Sequence, residues 1–460
     1  MRYGFKFRTI YQGLIFSCVI LAAFATSFVF AASNGSGQKS VAEIVSKAVQ
    51  EHKILYKLTT LDEFKQIVGQ PVKETKKTDG GMEICDIECS DVRARFGKMK
   101  DKPVPFTILW IAGKNRDFDI GQNRQLVLRD INDLDKIDSF WGFANVSLAN
   151  LDLRKHKKLL DDMPFDTLTK WPEPNKLPEG FQPARLLEEG KNPGLGVRRL
   201  HEQKINGRGV GIAVIDQPLL KNHIEYEDRI VHYEEIEVQG VEFQMHGPPV
   251  CSIAVGKTCG VAPKASLYYY AVPPWKWLDN KPWADTINKI IELNKGLRES
   301  EKIRVVSISL GAFSQRPNFD LWKQAVDKAN QNGILVVTCD PTFLELDMLK
   351  RKENEPADLP SSYEMIFNRP NADLLVLAGN RTIASYKGPD VYHYERQGGL
   401  SWTVPYLAGL AALAYQVNPE IKPEQIVGLW KQTAVKTDAG PIVNPAGFIE
   451  AVKIENSKLY

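Results

Sequence analysis

Cysteine is scarce in this sequence, and neither sign of charge is in excess. Six cysteines among 460 residues are too few for a scaffold held together by disulfides. Lys and Arg number 59 against 56 Asp and Glu, a net charge of +3, so there is no broad basic field to hold a polyanion and no nucleic acid is expected as a partner. The remaining composition, 43% hydrophobic and 25% charged, is typical of a globular chain of two or three domains.

Metal-binding patterns are also missing. Cys85 and Cys89 lie on one face of a predicted strand, but no second Cys or His pair follows at the spacing of zinc ligands. The sequence has no D-x-D-x-D-G run to which calcium could be assigned. We therefore predict no cofactor and no assignable metal site, with a structural calcium ion left open, and we expect Cys251, Cys259 and Cys339 to act as small buried apolar side chains.

Only one long apolar run is present, and it lies near the start of the sequence. Arg2, Lys6 and Arg8 precede an uncharged run over residues 13–31, which small residues follow. This pattern predicts a signal peptide over residues 1–33 and a secreted protein. Because the run is close to the roughly 20 residues that span a bilayer, an uncleaved anchor is the alternative, with membrane contact through residues 13–31 alone.

Three further segments differ in their patterns. Residues 41–175 combine helical and alternating strand patterns, which predicts an α+β module that is either a removable pro-domain or a permanent accessory domain. Prolines crowd residues 164–196, which predicts a Pro-rich linker over residues 176–196. Residues 197–455 form the predicted second domain.

In residues 197–455, short apolar runs alternate with helical patterns. Continuous apolar strands separated by helices are typical of a parallel sheet covered on both faces, so we predict an α/β fold. In such sheets the chemistry gathers where strands end and helices begin. The predicted strands contain VGIAVID, ASLYYYAV, IRVVSISL, GILVVTCD and ADLLVLAG, and the predicted helices cover residues 284–298, 318–331, 402–416 and 423–434.

Three side chains in this domain lie at such positions. Asp216 ends an apolar strand, His246 begins a helix of small residues, and Ser401 enters an apolar helix from a Gly-rich turn. Each alone has an ordinary explanation, as a turn residue, a core histidine or a helix cap. Together they fit an activated nucleophile, in which the imidazole takes the serine proton and the carboxylate orients the imidazole. The helix start would direct backbone N–H groups at the developing oxyanion.

The surrounding segments resemble those of the subtilisin-like serine peptidases, and they occur in the same order. The Asp, His and Ser blocks of that family read V-A-V-I-D-T-G, H-G-T-H-V-A-G and G-T-S-M-A-x-P. The similar segments here are Ala213–Asp216, His246–Ser252, Gly260–Ala265, Val306–Gly311, Leu375–Gly379 and Gly399–Pro405. The resemblance covers about residues 200–450 and implies a subtilisin-like parallel sheet.

The resemblance also implies a function. We expect an exported serine endopeptidase that hydrolyses peptide bonds through an acyl-enzyme, with the three side chains named above as its catalytic triad. An extended peptide or protein substrate would add as a strand against Ser309, Leu310 and Gly311, because the similar segment lines the substrate groove of the family.

One departure from the family weakens this expectation. The Asn that usually supplies a second oxyanion donor is absent, and an ungapped reading puts Thr342 in its place, shortly after Asp340. The Thr342 hydroxyl is our candidate donor, whereas an ionised Asp340 would repel the oxyanion. Loss of one such donor typically costs about 10² to 10³ in turnover. The alternative function is therefore a pseudopeptidase that binds extended peptides with weak or no hydrolysis.

Overall fold

A computed structural model describes most of the chain, which falls into two compact units, Met1–Phe181 and Gln182–Tyr460. The predicted signal segment 1–33, with its apolar run 13–31, lies outside the described residues. Within the described part, every helix is too short or too polar to cross a bilayer. The described residues are 41–50, 59–69, 71–79, 82–89, 92–99, 107–113, 119–120, 125–137, 139–273, 279–311, 316–367 and 372–457.

The N-terminal unit contains an antiparallel sheet whose strands are neighbours in the order of the sequence, β1 to β5. The second helix begins at a capping box, in which the Glu63 N–H donates to Thr60 Oγ1 (3.2 Å) and the Thr60 N–H donates to Glu63 Oε2 (2.8 Å). The described elements are α1 Val41–Gln50, α2 Leu61–Val68, β1 Lys73–Asp79, β2 Met82–Cys89, β3 Val92–Met99, β4 Thr107–Gly113, β5 Asp119–Ile120, β6 Leu126–Val127, β7 Val146–Ser147, α3 Lys157–Asp162 and β8 Phe165–Asp166.

This unit has its own apolar core under the sheet. The Phe64 and Phe96 rings pack with centroids 5.3 Å apart, and both side chains are fully buried. Cys85 and Cys89 lie on the same face of β2 and are buried in the same cluster. Burial is the main reason that the pKa of the Cys85 thiol is raised. The two cysteines therefore behave as core side chains.

The C-terminal unit is built on a parallel sheet in the order β10-β11-β9-β12-β13. A second sheet has the order β15-β14-β16-β20-β19, and β17 pairs with β18. The elements of this unit are α4 Pro183–Gly190, α5 Val197–Glu202, β9 Gly211–Asp216, β10 Ile230–Glu235, α6 Gly247–Val255, β11 Ser266–Ala271, α7 Lys281–Lys295, β12 Ile303–Ile308, α8 Phe319–Gln331, β13 Leu335–Thr338, β14 Leu346–Arg351, β15 Tyr363–Met365, β16 Leu374–Gly379, β17 Arg381–Ala384, β18 Tyr392–Glu395, α9 Leu400–Val417, α10 Pro423–Thr433, β19 Val435–Thr437, β20 Gly440–Ile442 and α11 Pro445–Ser457.

Helices cover both faces of the parallel sheet, as the side chains of β9 show. Ile212 and Val214 pack in one core cluster with α6 and α9, while Ala213 and Ile215 pack in a second cluster with α7 and α8. Successive side chains of a strand point to opposite faces, so a strand buried on both faces is apolar throughout. The predicted α/β fold with helices on both faces is confirmed.

The proline-rich segment 176–196, which the sequence predicts to be a linker, carries regular structure. Pro183 begins α4 because its fixed φ suits the first helical turn. The helix packs beside the hairpin of β17 and β18, where the Thr382 hydroxyl donates to the Leu187 carbonyl oxygen (2.6 Å). The prolines of this segment therefore begin a helix, in addition to indicating a boundary in the sequence.

Candidate active site

Asp216 is the last residue of β9, a strand in which every residue is buried. The carboxylate is 7% exposed, and its Oδ1 accepts a hydrogen bond from the Gln217 N–H at 2.7 Å. The backbone carbonyl of Asp216 accepts from the Val272 N–H at 2.8 Å. The side chain is thereby fixed at the carboxyl end of the sheet, where parallel sheets carry their functional groups.

His246 lies at the N-cap of α6, facing that carboxylate. Pro248 and Pro249 occupy the first turn of the helix, where no intrahelical N–H is lost. The His246 Nδ1 lies 2.9 Å from each of the two carboxylate oxygens of Asp216. Because a carboxylate only accepts, we assign the proton to Nδ1, which leaves Nε2 as an unprotonated acceptor. That tautomer is the one a general base requires.

Gly247 follows His246 because the chain passes too close to its neighbours for a side chain. A Cβ at this position would lie 2.5 Å from Tyr269 Oη and 3.2 Å from Leu219 Cδ1. The Tyr269 hydroxyl in turn donates to the Gln217 carbonyl oxygen, next to Asp216. Glycine thus allows α6 to start directly against the end of β9.

Two neutral groups surround the Asp216 carboxylate. Burial is the main reason that the pKa of the Cys251 thiol on α6 is raised well above its ordinary value, and the charge of Asp216 raises it further. Burial and the same carboxylate raise the pKa of Tyr269 on β11 in the same way. Both side chains therefore stay protonated at neutral pH and do not compete for the imidazole proton.

Ser401 lies in the first turn of α9 and is tied to the segment after β12. The Ser401 hydroxyl donates to the Ser309 carbonyl oxygen at 3.4 Å, and the Ser309 hydroxyl donates to the Ser401 carbonyl oxygen at 2.8 Å. Both residues and His246 are described, and no hydrogen bond joins Ser401 to the imidazole in this structure. The candidate nucleophile and base are therefore on adjoining elements without direct contact through a hydrogen bond.

Trp402, which the sequence analysis did not single out, connects these two elements. Its indole stacks on the His246 imidazole with ring centroids 5.2 Å apart and an interplanar angle of 29°. The side chain is 6% exposed. An aromatic residue in an apolar helix is ordinarily core, and the only signal in the sequence was its position directly after Ser401.

The segment predicted to bind substrate follows β12 and is held by side chains from two other segments. The Thr338 hydroxyl at the end of β13 donates to the Leu310 carbonyl oxygen, and Arg316 Nη1 donates to the Gly311 carbonyl oxygen at 3.2 Å. Together with the Ser309 contacts, these bonds fix the path of residues 309–311. A role of this segment in binding substrate stays a prediction.

The predicted oxyanion donor has its hydroxyl proton engaged in this structure. Thr342 Oγ1 donates to Asp340 Oδ1 at 2.9 Å, and the Thr342 N–H donates to the same oxygen at 2.9 Å. Asp340 is buried. The side-chain amide of Asn380, which follows β16, donates to the Arg351 carbonyl oxygen at 2.6 Å. Thr342 as an oxyanion donor stays a prediction.

His223, which lies between β9 and β10, is a fully buried structural residue. Its Nε2 donates to the Val391 carbonyl oxygen (3.0 Å), and its Nδ1 accepts from the Glu225 N–H (3.2 Å), with the proton assigned from these partners. Burial lowers the pKa of His223, which favours the neutral ring. Among the described residues, no three His, Cys, Asp or Glu side chains cluster as metal ligands, and the absence of a metal requirement stays a prediction.

Comparison with known proteins supports the interpretation of this unit. The model of the Subtilase family matches residues 207–367. The predicted resemblance to the subtilases is confirmed. The matched segment includes Asp216, His246 and the residues after β12, while Ser401 lies beyond it.

Curated relatives resemble this subtilase-like unit at modest identity. A subtilisin-like protease, PopC, of Myxococcus xanthus is 23% identical over 289 residues, 52% of this chain and 58% of that protein. A serine protease, AprX, of Bacillus subtilis is 26% identical over 310 residues, 55% of this chain and 67% of that protein. The chain thus spans about half to two thirds of the length of the curated relatives it matches.

Solved structures were matched over a similar share of the chain. The A-subunit of an AB5 toxin from E. coli is 14% identical, with a TM-score of 0.45 over 57% of this chain and 99% of the other. The PatG macrocyclase domain is also 14% identical, with a TM-score of 0.42 over 56% of this chain and 94% of the other.

Proposed function

We propose that this protein is an exported serine endopeptidase in which Asp216, His246 and Ser401 form the catalytic triad. The observation that carries the proposal is the contact of His246 Nδ1 with both carboxylate oxygens of Asp216 at 2.9 Å. The contact leaves Nε2 as the free base, and the residue after Ser401 stacks on the same imidazole. The family match over residues 207–367 supports the same chemistry.

The reaction requires the Ser401 hydroxyl to turn away from the Ser309 carbonyl oxygen. Its present bond to the Ser309 carbonyl oxygen is long, at 3.4 Å, and rotation about the Cα–Cβ bond would redirect the proton towards His246 Nε2. Catalytic hydrogen bonds are often long before substrate binds. As Oγ bonds to the substrate carbonyl carbon, Nε2 takes the hydroxyl proton, and Asp216 stabilises the imidazolium without itself being protonated.

The second half of the cycle uses the same groups. The imidazolium gives its proton to the leaving amine as the C–N bond breaks, which leaves an acyl-enzyme on Ser401 Oγ. Water then donates a proton to His246 Nε2 while its oxygen attacks the acyl carbon, and the carboxylic acid product leaves with Oγ reprotonated. One peptide bond and one water are consumed in each cycle.

Stabilisation of the oxyanion would come first from the start of α9. The N–H groups of Leu400 and Ser401 begin this 18-residue helix and lie at the positive end of its dipole, whereas the Trp402 N–H donates to the Gly399 carbonyl oxygen. A second donor, from Thr342, would require its hydroxyl to leave Asp340. We therefore propose a slow enzyme whose oxyanion site has one strong donor in the resting state.

A fluorophosphonate probe tests the proposal directly, because it labels an activated serine without a peptide substrate. We expect the folded protein to be labelled at Ser401 and the Ser401→Ala variant to remain unlabelled. Ser457→Ala is the matched control, since it removes an exposed hydroxyl at the end of α11 that bonds to the Ile454 carbonyl oxygen. An unlabelled folded protein, under conditions in which a known serine peptidase is labelled, would refute the peptidase proposal.

A pseudopeptidase that binds extended peptides is the second candidate. It is favoured by one observation, the engagement of the Ser401 and Thr342 hydroxyls with Ser309 and Asp340 in place of the imidazole and an oxyanion. A library of unstructured peptides would separate the two functions. Peptide binding without cleavage by the unmodified chain supports the pseudopeptidase, while cleavage that Ser401→Ala abolishes supports the enzyme.

Export and processing complete the proposal. We propose that residues 1–33 direct secretion and that residues 41–175 form a pro-domain or accessory domain of the peptidase unit, with a peptide or protein as the substrate. N-terminal sequencing of the secreted protein decides between the two forms. A new terminus between about 160 and 205 supports a removable pro-domain, and a terminus near 34 supports an accessory domain.

A further inference from the structure

We propose that Trp402 is a positioning residue for catalysis, whose indole holds the His246 imidazole in place and stabilises its protonated form. The proposal rests on the proposed function, because it concerns the same imidazole. Its basis is the stacking of the two rings, with centroids 5.2 Å apart and planes 29° apart. Stacking presents the negative π face of the indole to the imidazole.

The indole is fixed by its surroundings and does not depend on the imidazole for its orientation. Trp402 is 6% exposed and belongs to the main core cluster of the C-terminal unit, and its backbone N–H donates to the Gly399 carbonyl oxygen at 2.9 Å. On the other side, a Cβ at Gly398 would lie 2.8 Å from Trp402 Cδ1. Gly398 has a φ of +74°, so glycine suits this position by both conformation and space.

The imidazole is therefore held on two sides by different interactions. Asp216 fixes the ring within its plane through Nδ1, while Trp402 covers one face. A hydrogen bond at Nδ1 alone would allow the ring to swing about that bond, and the stack opposes this motion. The position of Nε2 relative to Ser401 is then set by α9, since Trp402 and Ser401 are consecutive residues.

The stack also acts on the charge that develops during the reaction. When Nε2 takes the Ser401 proton, the ring becomes a cation, and a cation over an indole face is stabilised. Asp216 on β9 contacts the ring, and the titratable groups near that carboxylate are Cys251 on α6 and Tyr269 on β11. Cys251 and Tyr269 have raised pKa values and stay neutral, so Asp216 and the indole are the groups that respond to the new charge.

Substitutions of Trp402 separate this role from simple packing. Trp402→Phe keeps an aromatic face, and Trp402→Leu fills part of the space without one. We expect Trp402→Leu to lower kcat about 5- to 30-fold with little change in KM, and Trp402→Phe to recover most of the loss. In Trp402→Leu the acid limb of the kcat/KM profile moves to lower pH by roughly half a unit to one unit, because the protonated ring loses stabilisation.

A spectroscopic measurement tests the stack without relying on hydrolysis. A protonated imidazole quenches the fluorescence of an indole that it contacts, and histidine ordinarily changes charge between pH 5 and 8. In Ser401→Ala protein, which cannot digest itself, we expect an emission change over this range. The change should disappear when His246→Ala or Trp402→Phe is added. Trp171→Phe is the matched control, because the Trp171 ring packs on Phe143, Phe165 and Phe181, and this variant should keep the change.

The possible outcomes are distinct. If the emission does not change with pH, or if its change persists in Trp402→Phe, the indole of Trp402 does not stack on the His246 imidazole. If the emission change shows that the rings stack, but Trp402→Leu has the kcat and the acid limb of the unmodified chain, then Trp402 does not position the imidazole for catalysis. If the unmodified chain does not react with a fluorophosphonate and does not cleave peptides, the proposed function fails, and the emission change alone then decides whether the stack exists.

Discussion

Asp216 is the residue on which the proposed chemistry depends most, and its substitution gives the first prediction. Asp216→Asn keeps the shape of the side chain but places an amide beside His246 Nδ1, which favours the wrong tautomer. We expect kcat to fall by about 10³- to 10⁴-fold with the fold intact. Steady-state kinetics on a peptide substrate, with circular dichroism as a check of folding, provides the measurement.

Asp228→Asn is the matched control for this substitution. Asp228 is an exposed carboxylate that pairs with Arg229, so its loss removes one negative charge outside the site. We expect its kinetics to match those of the unmodified chain. An Asp216→Asn variant within threefold of the unmodified kcat would contradict the assigned role of this carboxylate.

For single residues, the sequence predicts backbone positions better than it predicts side-chain contacts. The positions of Asp216 at a strand end and of His246 at a helix start could be predicted, because apolar strands and proline-initiated helices leave clear patterns in the sequence. The bond from Ser401 to Ser309 could not, since the direction of a hydroxyl depends on a rotamer and on acceptors remote in sequence. Trp402 was missed for a related reason, because stacking requires knowledge of which rings meet.

At the scale of elements, the turn after α6 is tied to β18 by a buried carboxylate. Glu225 is 1% exposed and accepts hydrogen bonds from the Thr258 N–H (2.8 Å), the Thr258 hydroxyl, the Cys259 N–H (3.2 Å) and the Tyr392 hydroxyl (2.6 Å). Burial, with a contribution from Glu225, raises the pKa of Tyr392, so its hydroxyl remains a donor. The carboxylate thus connects segments separated by more than a hundred residues.

Substitution of this carboxylate should loosen α6 and the site that it carries. Glu225→Gln replaces one acceptor oxygen with an NH₂ group that faces donors, so we expect the free energy of unfolding to fall by about 1–3 kcal/mol. Urea denaturation of the Ser401→Ala protein, which is protected from self-digestion, measures the change. Glu227→Gln, at an exposed position two residues away, is the control and should have no effect beyond about 0.5 kcal/mol. Equal stabilities of the two variants would contradict the prediction.

Elements were predicted well where their pattern is periodic and less well where proline is involved. The predicted helix 284–298 is observed as α7 over Lys281–Lys295, because Pro282 lies in its first turn, where proline is favoured. The linker predicted over 176–196 contains α4 for the same reason. A proline can therefore lie in the first turn of a helix as well as in a linker, because its fixed φ suits that turn.

At the scale of the whole molecule, buried tyrosines link stability to alkaline pH. Burial raises the pKa of Tyr363 and of Tyr394 to about 12, and both side chains are almost completely buried. Burial also raises the pKa values of Tyr226, Tyr269 and Tyr406. The folded state therefore keeps protons that the unfolded chain releases near pH 10.

Stability should consequently fall as the pH rises from 10 to 12. A raised folded-state pKa leaves the stabilisation complete below the unfolded value and removes it progressively above that value. The raised pKa values of Tyr363 and Tyr394 should each lower the free energy of unfolding by about 2 kcal/mol when the pH rises to 12. Urea denaturation of the Ser401→Ala protein at several alkaline pH values measures this decrease in the free energy of unfolding.

The variant Tyr363→Phe tests the contribution of one tyrosine. It lacks one titrating group, so its decrease in the free energy of unfolding between pH 10 and 12 should be smaller by about 2 kcal/mol, whatever its stability at pH 8. If the free energy of unfolding decreases equally with and without Tyr363→Phe, the Tyr363 phenol is not retained as a buried neutral group in the folded protein.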